Sequence, residues 1–313
     1  MPVVYDVYDV YDLVDVDDGR AVGEGVHVHR LPAPLLFLLS GVCQYLGAGI
    51  AVGLFDTAPA VSVGWARIAV AALLLVLWAR PWRTRWTRQT LLACVLFGVV
   101  LATMNLTFYA ALEHLPLGNA VAMEFLGPVA VAALTGRGVR ERVAIALALC
   151  GVVLLAGVTL DAGGEGAVAG LVLIFAAAAA WGGYILLGRR VSSQGSGLAP
   201  LAVAMLAGAL VFAPFAGAGA VPLLGGWQSA LALVGVAVAS SVIPYAIDQV
   251  VLRRLRPAQF AILLAILPVS ALLVGVVLLG QVPHGLEVVG LVLVCVAIAL
   301  TSRPARSAPE AAA

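Results

Sequence analysis

From Pro34 to Thr301 the chain alternates between long apolar runs and short polar breaks. Ten runs stand out, at 34–54, 62–78, 90–112, 118–135, 142–160, 168–187, 198–215, 229–252, 257–279 and 286–301. Each is long enough to cross roughly 30 Å of hydrocarbon as a helix. A membrane barrel would instead show weaker alternating segments of about ten residues, and none is seen. The pattern predicts an all-α integral membrane protein with ten transmembrane helices. Short connections make successive helices antiparallel.

Composition agrees with the pattern. Of 313 residues 63% are hydrophobic and only 11% charged, and mean hydropathy is +1.10. Soluble globular chains are about half apolar and a quarter charged. The net charge of +1 implies no basic surface for nucleic acid. All 17 basic residues are arginine, a usage that fits a GC-rich bacterial genome.

Where those arginines fall sets the expected topology. Arg80, Arg83, Arg85 and Arg88 lie between runs two and three, and Arg137, Arg140 and Arg142 between runs four and five. Arg189 and Arg190 follow run six, and Arg253, Arg254 and Arg256 separate runs eight and nine. Four more occupy the tails, and Arg67 alone sits inside a run. The alternate loops carry Asp56, Glu113, Asp161 and Glu165 but no arginine. By the positive-inside rule both termini are cytoplasmic. Splitting the chain near residue 165 gives residues 34–162 and 163–302, five helices each, with the arginine-rich loops of one half matching arginine-free loops of the other. An offset of 140 also pairs Leu112 with Leu252, Leu115 with Leu255, Pro128 with Pro268 and Val129 with Val269. Two inverted five-helix repeats are therefore expected, a common plan of secondary transporters.

The tails are of another kind. "VYDVYDVYDLVDVDD" repeats with a period of three and places six Asp near the start. An acidic opening with no apolar core before a cleavage site is not a signal peptide. Residues 1–33 are expected to be a disordered acidic tail, or an over-extension of a reading frame that starts near Val26 or Val28. Residues 303–313 form a second disordered tail. His27 and His29 have no further metal ligands nearby, and the four cysteines lie in apolar runs without a C-x-x-C, so no metal or cofactor is expected.

Three charged residues lie well inside runs, away from their ends: Arg67, Glu124 and Asp248. A charge at the bilayer centre costs about 2.5–3.5 kcal/mol even on the gentler scales. By helical rise Glu124 lies roughly 14 Å from the turn at Leu115. Asn105 falls at nearly the same depth on the preceding helix, facing Glu124, with Tyr109 one turn away on the same side. Arg67 has reach enough to approach Glu124. Glu124 is either a structural carboxylate, paired with Arg67 or Asn105, or a cavity residue that takes an ammonium group or a proton. Intramembrane carboxylates usually mark pathways, which favours the second reading. Arg67 reads equally as a snorkelling arginine. Asp248 stands five residues before Arg253 and reads first as an interfacial ion pair, second as a coupling residue.

Trp78, Trp82, Trp86 and Trp227 flank runs as interface anchors. Trp181 and Tyr184 share a helix face and wall a cavity or pack helices. Tyr245 joins the same expected site. Pro128, Pro244 and Pro268 interrupt runs four, eight and nine, each freeing a carbonyl and permitting a hinge. No Walker loop, H-E-x-x-H or G-x-S-x-G occurs, so no enzyme is indicated.

The stretches "NLTFYAALEHLPLGNAVAMEFLGPVAVAAL", "AAAAAWGGYILLGRR" and "SSVIPYAIDQVVLRRLRPAQFAILLAILPVSALLVGVVLLGQ" resemble the EamA-type branch of the drug/metabolite transporter superfamily, within it the threonine/homoserine exporter group. The likeness spans about Leu35 to Thr301. It implies a ten-helix inner-membrane protein that exports amino acids or related metabolites by alternating access, drawing on the proton gradient. The chain departs from the group's usual pattern at Leu267 and Gln281, where carboxylates are common, and at Ile247-Asp248.

The expectation is a secondary exporter, monomeric or homodimeric, that takes a small-molecule substrate and protons within the lipid bilayer. Glu124 would bind the ammonium group or a proton and Arg67 the carboxylate. Asn105, Tyr109, Trp181, Tyr184 and Tyr245 would line the site. One alternative is efflux of lipophilic cations, for which a carboxylate in an aromatic cavity suffices. Another is a membrane assembly or lipid-handling protein with no transport cycle.

Overall fold

The computed structural model describes residues 33–135, 138–161, 166–192, 198–244 and 266–301, and these are helical with short connections. The helices are α1 (Ala33–Val52), α2 (Ala60–Ala79), α3 (Arg88–Ala111), α4 (Leu117–Glu124), α5 (Leu126–Thr135), α6 (Val139–Asp161), α7 (Ala167–Ser192), α8 (Ala199–Phe212), α9 (Trp227–Ala237), α10 (Ile266–Leu279) and α11 (Gly285–Thr301). Among the described residues five helical stretches are long and apolar enough to cross a membrane: Ala60–Ala79, Arg88–Ala111, Val139–Asp161, Ala167–Leu187 and Ala199–Leu224. Shorter apolar helical stretches, Leu38–Val52, Leu117–Val131, Trp227–Val242, Ile266–Leu279 and Gly285–Leu300, lie within or overlap the remaining runs.

Local chemistry sets the boundaries. Pro59 precedes α2, and Arg80 ends it in the left-handed conformation, its N–H donating to the Val76 carbonyl before Pro81 stops the helix. Thr87 caps α3 by accepting from the Thr90 N–H at 3.1 Å. A carboxylate from another connection caps α2: Glu113 Oε1 accepts from the Ala60 N–H at 3.0 Å. Gly280, with φ of 65°, turns the chain after α10 as few other residues could.

Two runs are less regular than their apolarity predicts. Run four is not one helix but two, α4 and α5, divided at Phe125. Pro128 has no N–H to offer the Glu124 carbonyl four residues earlier, and its ring crowds that carbonyl, so the break falls before the proline. Run seven continues past 215 through a π-helical segment, Ala213–Gly217, and 3₁₀ turns at Ala218–Leu224. The eighth run likewise passes from α9 into a π-helical segment, Val238–Val242.

Several hydroxyls inside the helices are satisfied within their own helix. The hydroxyls of Thr103, Thr107, Thr159 and Ser270 donate to the carbonyls of Val99, Thr103, Leu155 and Ile266, four residues back. Many leucines and valines point outward, among them Leu73, Leu77, Leu92, Val153, Val172, Leu210 and Val277. This outward apolar surface is what a lipid solvent requires.

In the interior α3 lies along α7 and α8, α2 on α8, α6 on α11, α1 on α9 and α10, and α4 on α10. Close crossings use glycine. A Cβ on Gly98 of α3 would collide with the Ala204 carbonyl of α8, and one on Gly127 of α5 with the Ala178 carbonyl of α7. These approaches bring α2, α3 and the break between α4 and α5 into one region.

Candidate functional site

The polar centre begins with Glu124 at the last residue of α4. It is 8% exposed, and among the described residues no side chain or backbone group hydrogen-bonds its carboxylate. The groups that feel its charge are Arg67 of α2 and Tyr45 of α1. Pro128 leaves the backbone carbonyl of the same residue without its usual donor.

Arg67, 7% exposed, is held in place by three neighbours. Its Nη2 donates to Asn105 Oδ1 on α3. Its Nη1 donates to the Ser240 carbonyl at 3.4 Å. Its guanidinium carbon lies 5.0 Å from the centroid of the Tyr109 ring, a cation–π arrangement. Pro244 stands four residues after Ser240, so the carbonyl Arg67 reaches is one that cannot accept from residue 244. The Ser240 hydroxyl in turn donates to the Gln44 carbonyl at 3.0 Å, in space left by Gly47.

Two donors in this cluster have no acceptor among the described residues: Arg67 Nε and the Tyr109 hydroxyl, which lies near Ser240 without a hydrogen bond. Both are buried. A buried donor left unpaired costs about 1–3 kcal/mol, so the arrangement is complete only with a further acceptor. The site therefore presents buried donors from α2 and α3 and an acceptor at the end of α4.

Among the described residues Asn105 makes its hydrogen bonds away from Glu124. Its Oδ1 accepts from Arg67 and its Nδ2 donates to the Leu101 carbonyl at 2.8 Å, so it positions the arginine. Arg67 in turn acts on Glu124 through space, its hydrogen bonds going to Asn105 and Ser240. Trp181 meets Phe125 edge-on at 4.6 Å and so packs against the helix break. Tyr184 stacks on Phe97 at 4.7 Å, within a separate apolar cluster of α2, α3 and α8. Tyr245 and Asp248 lie outside the described residues. Pro244 follows the π-helical segment Val238–Val242, and Pro268 lies within the helical residues Ile266–Leu279.

Sequence reasoning missed Tyr45 and Ser240. Nothing marks Tyr45, one aromatic in an apolar run. Ser240 had a signal in the proline four residues on.

A second polar region lies at the end of the bundle whose loops lack arginine. There Asn119 Nδ2 donates to Glu287 Oε1 at 2.5 Å, joining α4 to α11, and the Leu117 N–H donates to Gln281 Oε1 at 2.9 Å.

Comparison with known proteins fits this architecture. Residues 168–303 match the EamA-like transporter family. The threonine/homoserine exporter RhtA of Salmonella typhimurium strain LT2 is 32% identical over 259 residues, 82% of this chain and 87% of that protein. The chain belongs to the EamA-like transporter family. Escherichia coli K12 RhtA, also named a threonine/homoserine exporter, is 33% identical over 249 residues, covering 79% of this chain and 84% of its own length. A solved crystal structure aligns with a TM-score of 0.55 at 19% identity, over 86% of this chain and 95% of that one, a likeness of fold. This EamA-family chain is thus a multi-pass membrane transporter, and its broken helix and buried charges belong to that setting.

Proposed function

We propose that this EamA-family protein is a proton-coupled secondary exporter of a small zwitterionic metabolite, an amino acid, in a bacterial inner membrane. The observation that carries the reading is Glu124: a carboxylate buried at a broken helix, beside Arg67, with no hydrogen bond among the described residues. Permanently structural carboxylates are normally paired and hydrogen-bonded. A carboxylate kept for exchange is left open to a proton or an ammonium group. The names of the relatives, threonine/homoserine exporters, support an amino acid as the cargo.

Ten membrane crossings in two inverted five-helix halves, with both termini cytoplasmic, are part of the proposal. Helix packing supports it. Under exchange of halves α3 against α7 becomes the eighth crossing against α1, and α1 against α10 becomes the α4–α5 crossing against α7; both members of each pair are in contact. The α6–α11, α2–α8 and α4–α10 contacts map onto themselves. In the transport cycle Arg67 and Tyr109 hold the substrate carboxylate, Asn105 steadies Arg67, and Trp181 walls the site. The halves rock about breaks at Pro128, Pro244 and Pro268.

The test is pH-gradient-driven efflux of L-threonine from vesicles. Glu124→Gln is expected to abolish coupling to the gradient. Efflux that stays undiminished and proton-coupled in that variant would rule the role out.

A further inference from the structure

At the arginine-free end a pocket of about 280 Å³ opens between α4, α6, α7, α10 and α11, away from Glu124. Its polar lining is His114, Asn119, Thr159, Gln281, His284 and Glu287. Glu287 is 7% exposed. It accepts from Asn119 Nδ2 through Oε1 and from the His284 N–H at 2.7 Å through Oε2, with His284 Nδ1 at 3.5 Å. The contact to the His284 N–H is a helix-capping arrangement at the start of α11. It does not exhaust the group, since a carboxylate offers about four acceptor positions. Among the described residues no arginine approaches it, and the pocket's only other ionisable side chains are the two histidines. The amide of Asn119 is tied up on its nitrogen, and its oxygen has no hydrogen bond among the described residues. Thr159 spends its proton on the Leu155 carbonyl and presents its oxygen as an acceptor. The polar part of a largely apolar lining therefore sets acceptors around the buried Glu287 carboxylate, whose one ion-pair contact among the described residues is to His284.

We infer that this pocket is a second binding site, on the exit side, that takes the ammonium end of the exported metabolite through Glu287, Asn119 Oδ1 and Thr159. The inference rests on the exporter reading of the chain. Geometry connects the two sites. Asn119 lies in the first turn and Glu124 at the last residue of one short helix, α4, five residues or roughly 7.5 Å apart along its axis. Because Asn119 and the Leu117 N–H are also bonded to Glu287 and Gln281, occupation of the pocket competes with the contacts that join α4 to α10 and α11 at this end.

The experiment uses the full chain with Val158→Cys, a lining position outside the proposed contacts, in sealed vesicles. It measures labelling by a membrane-impermeant maleimide against the unsubstituted chain. L-Threonine at about ten times its half-protecting concentration should slow labelling about tenfold. N-Acetyl-L-threonine, which lacks the ammonium group, should not protect. Glu287→Gln should remove protection and Glu124→Gln should leave it. Val282→Trp, at an exposed position on the pocket mouth, should also remove protection, and it keeps the test decisive if Glu287→Gln fails to fold. Equal protection by the acetylated compound, protection that survives Glu287→Gln or Val282→Trp, or no protection at all would overturn the second site. Efflux of L-threonine by the unsubstituted chain is measured in parallel. Its absence would sink the exporter reading, whereas efflux without protection would sink only the exit-side site.

Discussion

Arg67 Nη1 donates to the carbonyl of Ser240, the residue four before Pro244. Pro244 has no N–H to offer that carbonyl, and an arginine from the other half of the chain donates to it. The same guanidinium holds Asn105 and lies over Tyr109. Arg67→Leu would leave the Ser240 carbonyl and the Asn105 amide oxygen unpaired. The expected loss of stability is about 1–3 kcal/mol per buried group, read as a lower unfolding temperature in detergent, together with loss of efflux. Arg67→Lys should recover part of the stability and little of the transport, because one ammonium cannot reproduce the fork. An unfolding temperature unchanged in Arg67→Leu would contradict the geometry.

Pro128→Ala should close the break at Phe125. A donor at residue 128 satisfies the Glu124 carbonyl, and proline in a helix interior costs about 3 kcal/mol relative to alanine. Stability is expected to hold or rise while efflux falls, because the hinge is lost. Efflux equal to that of the unsubstituted protein in a more stable variant would show that the break is not needed.

Gly98 and Gly127 set how closely helices cross. Gly98→Val places methyl groups where the Ala204 carbonyl of α8 stands. Overpacking of this kind costs about 1–3 kcal/mol. Gly235, whose Cβ would meet nothing within 4 Å, is the control, and Gly235→Ala should be neutral. Comparing unfolding temperatures of the two variants decides the point.

Trp65 Nε1 donates to the Ala209 carbonyl at 2.8 Å, next to the π-helical segment after α8. Trp65→Phe keeps most of the ring and removes the donor. A loss of about 1 kcal/mol is expected, with substrate affinity unchanged. A shift in affinity without a shift in stability would move Trp65 into the transport site.

Single cysteines at Thr84 and at Arg254 should react with an impermeant thiol reagent from the same side of the membrane, and one at Asp56 from the opposite side. Reaction of the first two from opposite sides would refute the inverted arrangement.

The helices were legible because a lipid solvent demands long apolar runs, so α2, α3 and α6 follow from length and composition alone. What escaped was direction around each axis. Asn105 and Glu124 share a depth, but depth carries no azimuth, and Asn105 turns to Arg67 instead. Glu124, Arg67 and Tyr109 were recognisable because charge and phenol are rare in such runs. Tyr45 and Ser240 were not, since a tyrosine or a serine among alanines and valines looks like filler until its neighbours are known. The break at Phe125 lies before Pro128 because a proline acts on the carbonyl four residues back, and the runs with Pro214 and Pro244 pass into π turns whose register apolarity does not encode.

Glu124 carries a charged side chain and, through Pro128, a main-chain oxygen released from its helix. The two oxygens answer to different codons. Substitution at position 124 can abolish the charge but never the carbonyl, and substitution at 128 can reclaim the carbonyl without touching the charge. Affinity for a cation at this point can therefore be dialled in two independent steps, which gives a lineage of such proteins room to change cargo without dismantling the site.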